Sequence, residues 1–176
     1  MRALLGGLLL LLATTACAPT TGAPTLTYPP GTPRPAEADT AAIDVAVADL
    51  TRALGDQGLT LAPAERPFRP AEGPALAGAP RAVYQVVLPE APDQGYIVIY
   101  DLPDSTAATT AGTDQATYLG TGPGRVQMPI GTHHVIRQLG STILLYSWIP
   151  GGDADERAPR IEDALDAVGT GIPIPA

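Results

Sequence analysis

The chain has 176 residues, with ten arginines, no lysine and 18 acidic residues, for a net charge of −8 at neutral pH. That balance argues against nucleic-acid binding, which needs a dense cationic surface, and against electrostatic docking on anionic lipid headgroups. Cys17 is the only cysteine, so no internal disulfide can form and packing alone must hold the fold.

The first seventeen residues have the layout of a secretory signal. Met1-Arg2 is a positive start, Ala3 to Ala13 is a run of Leu, Ala and Gly, and Ala16-Cys17 closes the segment. Such an apolar core, about 7–15 residues, is shorter than the ~20 needed to span a bilayer. Ending on a solitary Cys, the segment resembles a bacterial lipoprotein signal. The resemblance implies that the Cys17 thiol receives a diacylglycerol and becomes an acylated mature N-terminus. Lipoprotein signals carry Leu, Val or Ile three positions before the Cys, where this chain has Thr14. Ala16-Cys17-Ala18 also fits small-x-small cleavage, which would release a soluble secreted product beginning at Pro19. Loss of Arg2 with the signal leaves nine arginines against 18 acidic residues, a charge near −9.

Residues 18–38 are Pro, Thr, Gly and Ala with almost no large apolar side chains, which predicts a disordered, Pro-stiffened tether. Residues 39–176 are expected to form one small domain. Asp39 is the predicted N-cap of a first helix, with Ile43, Val47, Leu50 and Leu54 at helical spacing and Gly55 and Gly58 ending it. Leu59 to Leu61 reads as a short strand, and the Pro-rich stretch to Arg81 as mostly irregular. Val83 to Leu88 is a β-branched and aromatic strand, followed by a polar turn over 89–95. Tyr96 to Tyr100 is apolar on both alternations, as in a strand covered on both faces.

Asp104-Ser105-Thr106 offers caps for a second helix, whose Ala107, Ala108, Ala111 and Ala116 form a small-residue face. Its threonines and Gly112 make it a weak helix in isolation. Thr132 to Leu139 and Thr142 to Trp148 flank Gly140-Ser141, a two-residue loop with Gly first, as a type II′ turn requires. The hairpin register pairs Leu139 with Thr142, Arg137 with Leu144, Val135 with Tyr146 and His133 with Trp148. The more apolar face, with Val135, Leu139, Leu144, Tyr146 and Trp148, is assigned to the core. Pro159 marks a last helix, with Asp153, Asp155 and Glu156 suited to its N-terminus and Ile161, Leu165 and Val168 as its buried stripe. The predicted class is α+β: a mostly antiparallel sheet of about four to five strands with helices packed on it.

Residues that could carry chemistry are few. His133 and His134 are adjacent on a strand, so their side chains point to opposite faces and cannot share a metal ion. Gly120 to Arg125 follows a helix and leads into a strand, the reverse of a phosphate loop, and Pro123 removes an amide; it reads as a helix C-cap and loop. The carboxylates after Gly151-Gly152 lack the spacing of a calcium loop. No Gly-x-Ser-x-Gly elbow surrounds Ser105, Ser141 or Ser147. No catalytic residue, cofactor or metal ligand is predicted, and the chain is expected not to be an enzyme.

From Gly58 to Ile172 the chain resembles a loose group of small uncharacterised bacterial lipoproteins and secreted proteins with a helix–strand–helix–hairpin–helix domain. The matching positions are Tyr96 to Asp101, Ala107-Ala108, His134-Val135-Ile136-Arg137, Gly140, Ile143-Leu144-Leu145-Tyr146 and Ile161 to Val168. This chain has an extra residue between Arg137 and Gly140 and longer Gly/Pro-rich loops. The resemblance implies a fold and no mechanism. The expected role is a lipid-anchored, non-catalytic module of the cell envelope that binds another envelope protein or a cell-wall component. The alternative is a small-ligand carrier or hydrolase with a pocket bordered by Tyr84, Tyr100, His134, Arg137 and Trp148.

Overall fold

A computed structural model describes residues 40–150 and 155–176. The signal, Cys17 and the tether lie outside these residues, as do Asp39 and Asp153. Helix α1 spans Ala41–Asp56, and its cap is Thr40, one residue beyond the expected Asp39. The Thr40 hydroxyl accepts from the Ile43 N–H at 3.3 Å, which satisfies one of the first-turn amides. Ile43, Ala46, Leu50 and Leu54 form its buried face.

Strand β1 (Leu61–Pro63) is followed by α2, a single turn over Pro74–Ala77 in the stretch expected to be irregular. Strand β2 covers Arg81–Val86, starting and ending two residues earlier than predicted, and β3 covers Tyr96–Asp101. Helix α3 (Ser105–Gly120) is capped by Asp104, whose carboxylate accepts from the Ala107 N–H at 2.8 Å. The hydroxyls of Thr109, Thr110, Thr113 and Thr117 each donate to the carbonyl four residues back, and the Thr109 hydroxyl also lies 3.0 Å from Gln138 Oε1 on β4. After α3 the glycine-rich segment forms a 3-10 turn, Pro123–Val126, as expected of a helix-ending loop.

Strands β4 (His133–Leu139) and β5 (Thr142–Trp148) form the hairpin in the predicted register throughout. Gly140 has φ +57° and no non-glycine residue has positive φ among those described. One positive φ at the first turn position is the signature of type II′. Helix α4 spans Ala158–Asp166 and buries Ile161 and Leu165, while Val168 is buried just beyond its end. Asp155 does not act on the helix amides as a free charge: its carboxylate accepts from the Arg157 backbone N–H and guanidinium. The chain ends past β6, Thr170–Gly171.

The strands make one antiparallel sheet of six in the order β1-β2-β3-β5-β4-β6, against an expected four to five. The additional strand is β6. Two exposed residues, one of them glycine, carry no apolar alternation by which a strand could be read. The single-faced core assignment is also corrected. Val135, Leu144 and Tyr146 do pack beneath α1 and α4, with Leu139 and Trp148 at the margin. Yet Ile136, Ile143 and Leu145 on the reverse face are equally buried, against α2 and α3. Both faces therefore carry a core, at roughly 1.5–3 kcal/mol for each large apolar side chain withdrawn from water. The C-terminal tail joins the second core through Ile172 and Ile174. A Cβ on Gly112 would stand 2.3 Å from the Ile172 side chain, so the small residue in mid-helix is what lets the tail lie against α3.

Candidate functional site

The five side chains proposed to border one pocket do not all meet: His134 and Arg137 line one trough, Tyr84 lines another hollow, and Tyr100 and Trp148 line neither. Strand parity places Tyr84, Arg137 and Trp148 on the face under α1 and α4, and Tyr100 and His134 on the face under α3. Tyr84 lies on β2, part-buried at the edge of the first core. Tyr100 is wholly buried on β3, and its hydroxyl donates to Glu72 Oε1 at 2.7 Å. Burial, then the Glu72 charge, push its pKa well above the ordinary value, so it stays a neutral donor.

Glu72 is a residue the sequence did not single out. Its side chain is 2% exposed, and the guanidinium groups of Arg69 (2.7 Å) and Arg81 close on it beside Tyr100. A buried carboxylate is tolerable only with such partners. The cluster ties the Pro-rich segment to β2 and β3, which makes it a structural device.

His134 shares a 2.7 Å hydrogen bond between its Nδ1 and Ser147 Oγ, across the hairpin. Burial, with His133 as a minor neighbour, lowers its pKa and favours the neutral imidazole. Arg137 is engaged by the end of α4: Nε donates to the Val168 carbonyl (2.9 Å), Nη2 to the carbonyls of Asp166 (2.8 Å) and Gly169 (3.1 Å), and Nη1 to the Asp166 carboxylate (3.0 Å). Its guanidinium has little left to offer a ligand. Trp148 donates Nε1–H to Glu162 at 3.1 Å and stands 5.0 Å from the His133 ring. Among the described residues no three His, Cys, Asp or Glu side chains are grouped to hold a metal ion. No described helix is long and apolar enough to cross a membrane.

What remains open is the edge of β4. Beside it lies an open trough of about 470 Å³, lined by His134 to Arg137, by Glu162 and Asp166 of α4, and by Gly171 to Ile174 of the tail. The two-residue turn makes Leu139 and Thr142 a mutually hydrogen-bonded pair, so Arg137, Val135 and His133 direct their backbone groups at β5. Gln138, Ile136 and His134 must then direct theirs outward. Strand β6 covers only Arg137 and Gln138, and the Ile172 N–H reaches the Ile136 carbonyl at 2.9 Å. The tail then leaves the edge, and Ile172 is the last of its residues to bond β4. Beyond that point the His134 N–H and carbonyl and the Ile136 N–H meet no strand among the described residues. Such a row of groups is a template for a further strand. Comparison of the chain with family models, with curated proteins and with solved structures finds no match.

Proposed function

We propose that this protein is a lipid-anchored, non-catalytic module of the bacterial envelope that holds another envelope protein against the free half of β4. The anchor rests on the signal-like segment ending at Cys17, the tether behind it, and an acidic domain with no charge affinity for lipid headgroups. The binding role is carried by one observation, the outward-facing backbone groups of His134 and Ile136 beside a trough at a sheet edge. The carrier or hydrolase alternative needs Tyr84, Tyr100, His134, Arg137 and Trp148 to border one pocket, and only His134 and Arg137 line the same trough.

Two measurements test the reading. Mass spectrometry of the mature N-terminus should find diacylglycerol on Cys17, and Cys17→Ser should abolish it; an unmodified chain starting at Pro19 refutes the anchor. Co-purification from gently solubilised membranes should recover an envelope protein with the full chain and lose it with His134→Pro. That substitution removes an outward N–H and leaves the β4–β5 ladder intact, because His134 does not bond β5 through its backbone. Equal recovery with a folded His134→Pro chain refutes the edge as the binding surface.

A further inference from the structure

We infer that the segment seated on β4 is an extended peptide in which basic and apolar residues alternate. The inference rests on the proposed binding role and adds the chemistry of the partner. Three features of the edge define it.

The edge already accepts a strand, since Thr170 and Gly171 pair antiparallel with Gln138 and Arg137. The tail turns onto α3 after Ile172, and the outward groups it leaves unmet are the N–H and carbonyl of His134 and the N–H of Ile136. A peptide added there would donate to the His134 carbonyl and accept from the N–H groups of His134 and Ile136. Main-chain bonds of this kind give affinity without regard to sequence, and alternate side chains supply the selection.

Selection follows from what flanks the trough. On one side stands α4 with Glu162 and Asp166, whose side chains are 37% and 67% exposed. Asp166 is partly neutralised by Arg137, four of whose five N–H donors are already used. Glu162 accepts only from the neutral Trp148 indole and has His133 Nδ1 at 3.9 Å, so most of its charge is unmatched. On the other side stand Ile172, Pro173 and Ile174 of the tail. Successive side chains of an added strand point alternately to these two sides. Basic residues would therefore face Glu162 and Asp166, and apolar residues the tail. The chain has no lysine and twice as many acidic as basic residues beyond Arg2, so its long-range field favours a cationic partner.

The test uses the full chain in non-ionic detergent and a fluorescein-labelled hexapeptide of alternating Lys and Val, read by anisotropy. A matching Glu-Val peptide and a Lys-Val peptide N-methylated on alternate backbone nitrogens are the comparators. The Lys-Val peptide should bind at least tenfold tighter than either, and more weakly as salt is raised. His134→Pro should weaken it tenfold or more, while His134→Ala, which keeps the backbone N–H, should stay within threefold. Glu162→Gln should weaken it about threefold and narrow the margin over Glu-Val. Should His134→Pro fail to fold, the N-methylated peptide still probes the ladder from the other strand. Equal binding of Lys-Val and Glu-Val, or no loss on N-methylation, overturns the inference. If the peptide fails while an envelope protein still co-purifies in a His134-backbone-dependent way, the alternating basic ligand is wrong and the binding role stands. Loss of both removes both.

Discussion

Arg137 offers the sharpest separation between a ligand-binding and a structural role. Replacing it by Met keeps an unbranched apolar stem and removes the guanidinium. The bond to the Val168 carbonyl is part-buried, and a charge-assisted bond of that kind is worth ~1.5–3 kcal/mol. The carbonyls of Asp166 and Gly169 and the Asp166 carboxylate are more exposed and can turn to water, so they add less, about 0.5 kcal/mol for the ion pair. A cation at the C-terminus of α4 contributes a further ~0.3–1 kcal/mol through the helix dipole. The sum is about 2.3–4.5 kcal/mol, and for a domain of this size each kcal/mol moves Tm by ~3–4 °C. Thermal unfolding followed by far-UV circular dichroism should therefore show Arg137→Met melting roughly 7–18 °C lower than the wild type. A shift under about 2 °C would mean that the contacts with α4 do not hold the helix end, and that Arg137 is free for another task.

Further outcomes follow from the hairpin and its cores. Leu144→Ala removes a fully buried side chain and should cost ~2–5 kcal/mol in chemical denaturation, whereas a cost under about 1 kcal/mol would contradict the packing beneath α1 and α4. A Cβ at Gly140 meets no atom within 4 Å, so the cost of Gly140→Val should come mainly from a β-branched residue at φ +57°, ~1–3 kcal/mol, and unchanged stability would refute the type II′ turn. The lowered pKa of His134 means that the fold prefers the neutral ring, so its contribution is complete above the unfolded value of 6.5 and is lost as pH falls below it. His134→Gln should flatten the Tm profile between pH 7 and pH 5, and an unaltered slope there would count against the buried imidazole. Asp155 acts in a separate window, because its bonds to Arg157 lower its pKa and its contribution is lost only below the ordinary 3.8.

The hairpin was legible in the sequence because a two-residue turn with Gly first fixes both conformation and parity, and every strand pair then follows. Tyr96 to Tyr100 was legible for a related reason: an apolar run on both alternations has no face left for water, and β3 sits mid-sheet with both faces covered. The same reasoning applied to Ile143 to Tyr146 would have revealed the second core. Ranking the hairpin faces by apolar content hid it, because His134 and Gln138 dilute a face that is sealed by α3 over only part of its length. Strand β6 and helix α2 carry no pattern of their own. Two residues and four residues respectively are too few to show a period, and both exist because neighbouring elements are already in place.

The site was less legible, for a reason that parity makes plain. His134 and Arg137 are three residues apart on one strand, an odd separation that sends them to opposite faces whatever the fold around them. Strand parity therefore lets both residues border a hollow only at the edge of the sheet, where the trough lies. What could not be read was the company each keeps. Arg137 is engaged by the end of a helix about thirty residues later, and Glu162 reaches the trough only because α4 packs over β4. A sheet edge is a property of topology as well. The outward groups of His134 and Ile136 would be interior if β6 were four residues longer, and they are open because the tail leaves the edge after Ile172, for which Gly112 makes room against α3. A glycine in a distant helix thus helps to decide where the chain's own tail leaves the strand.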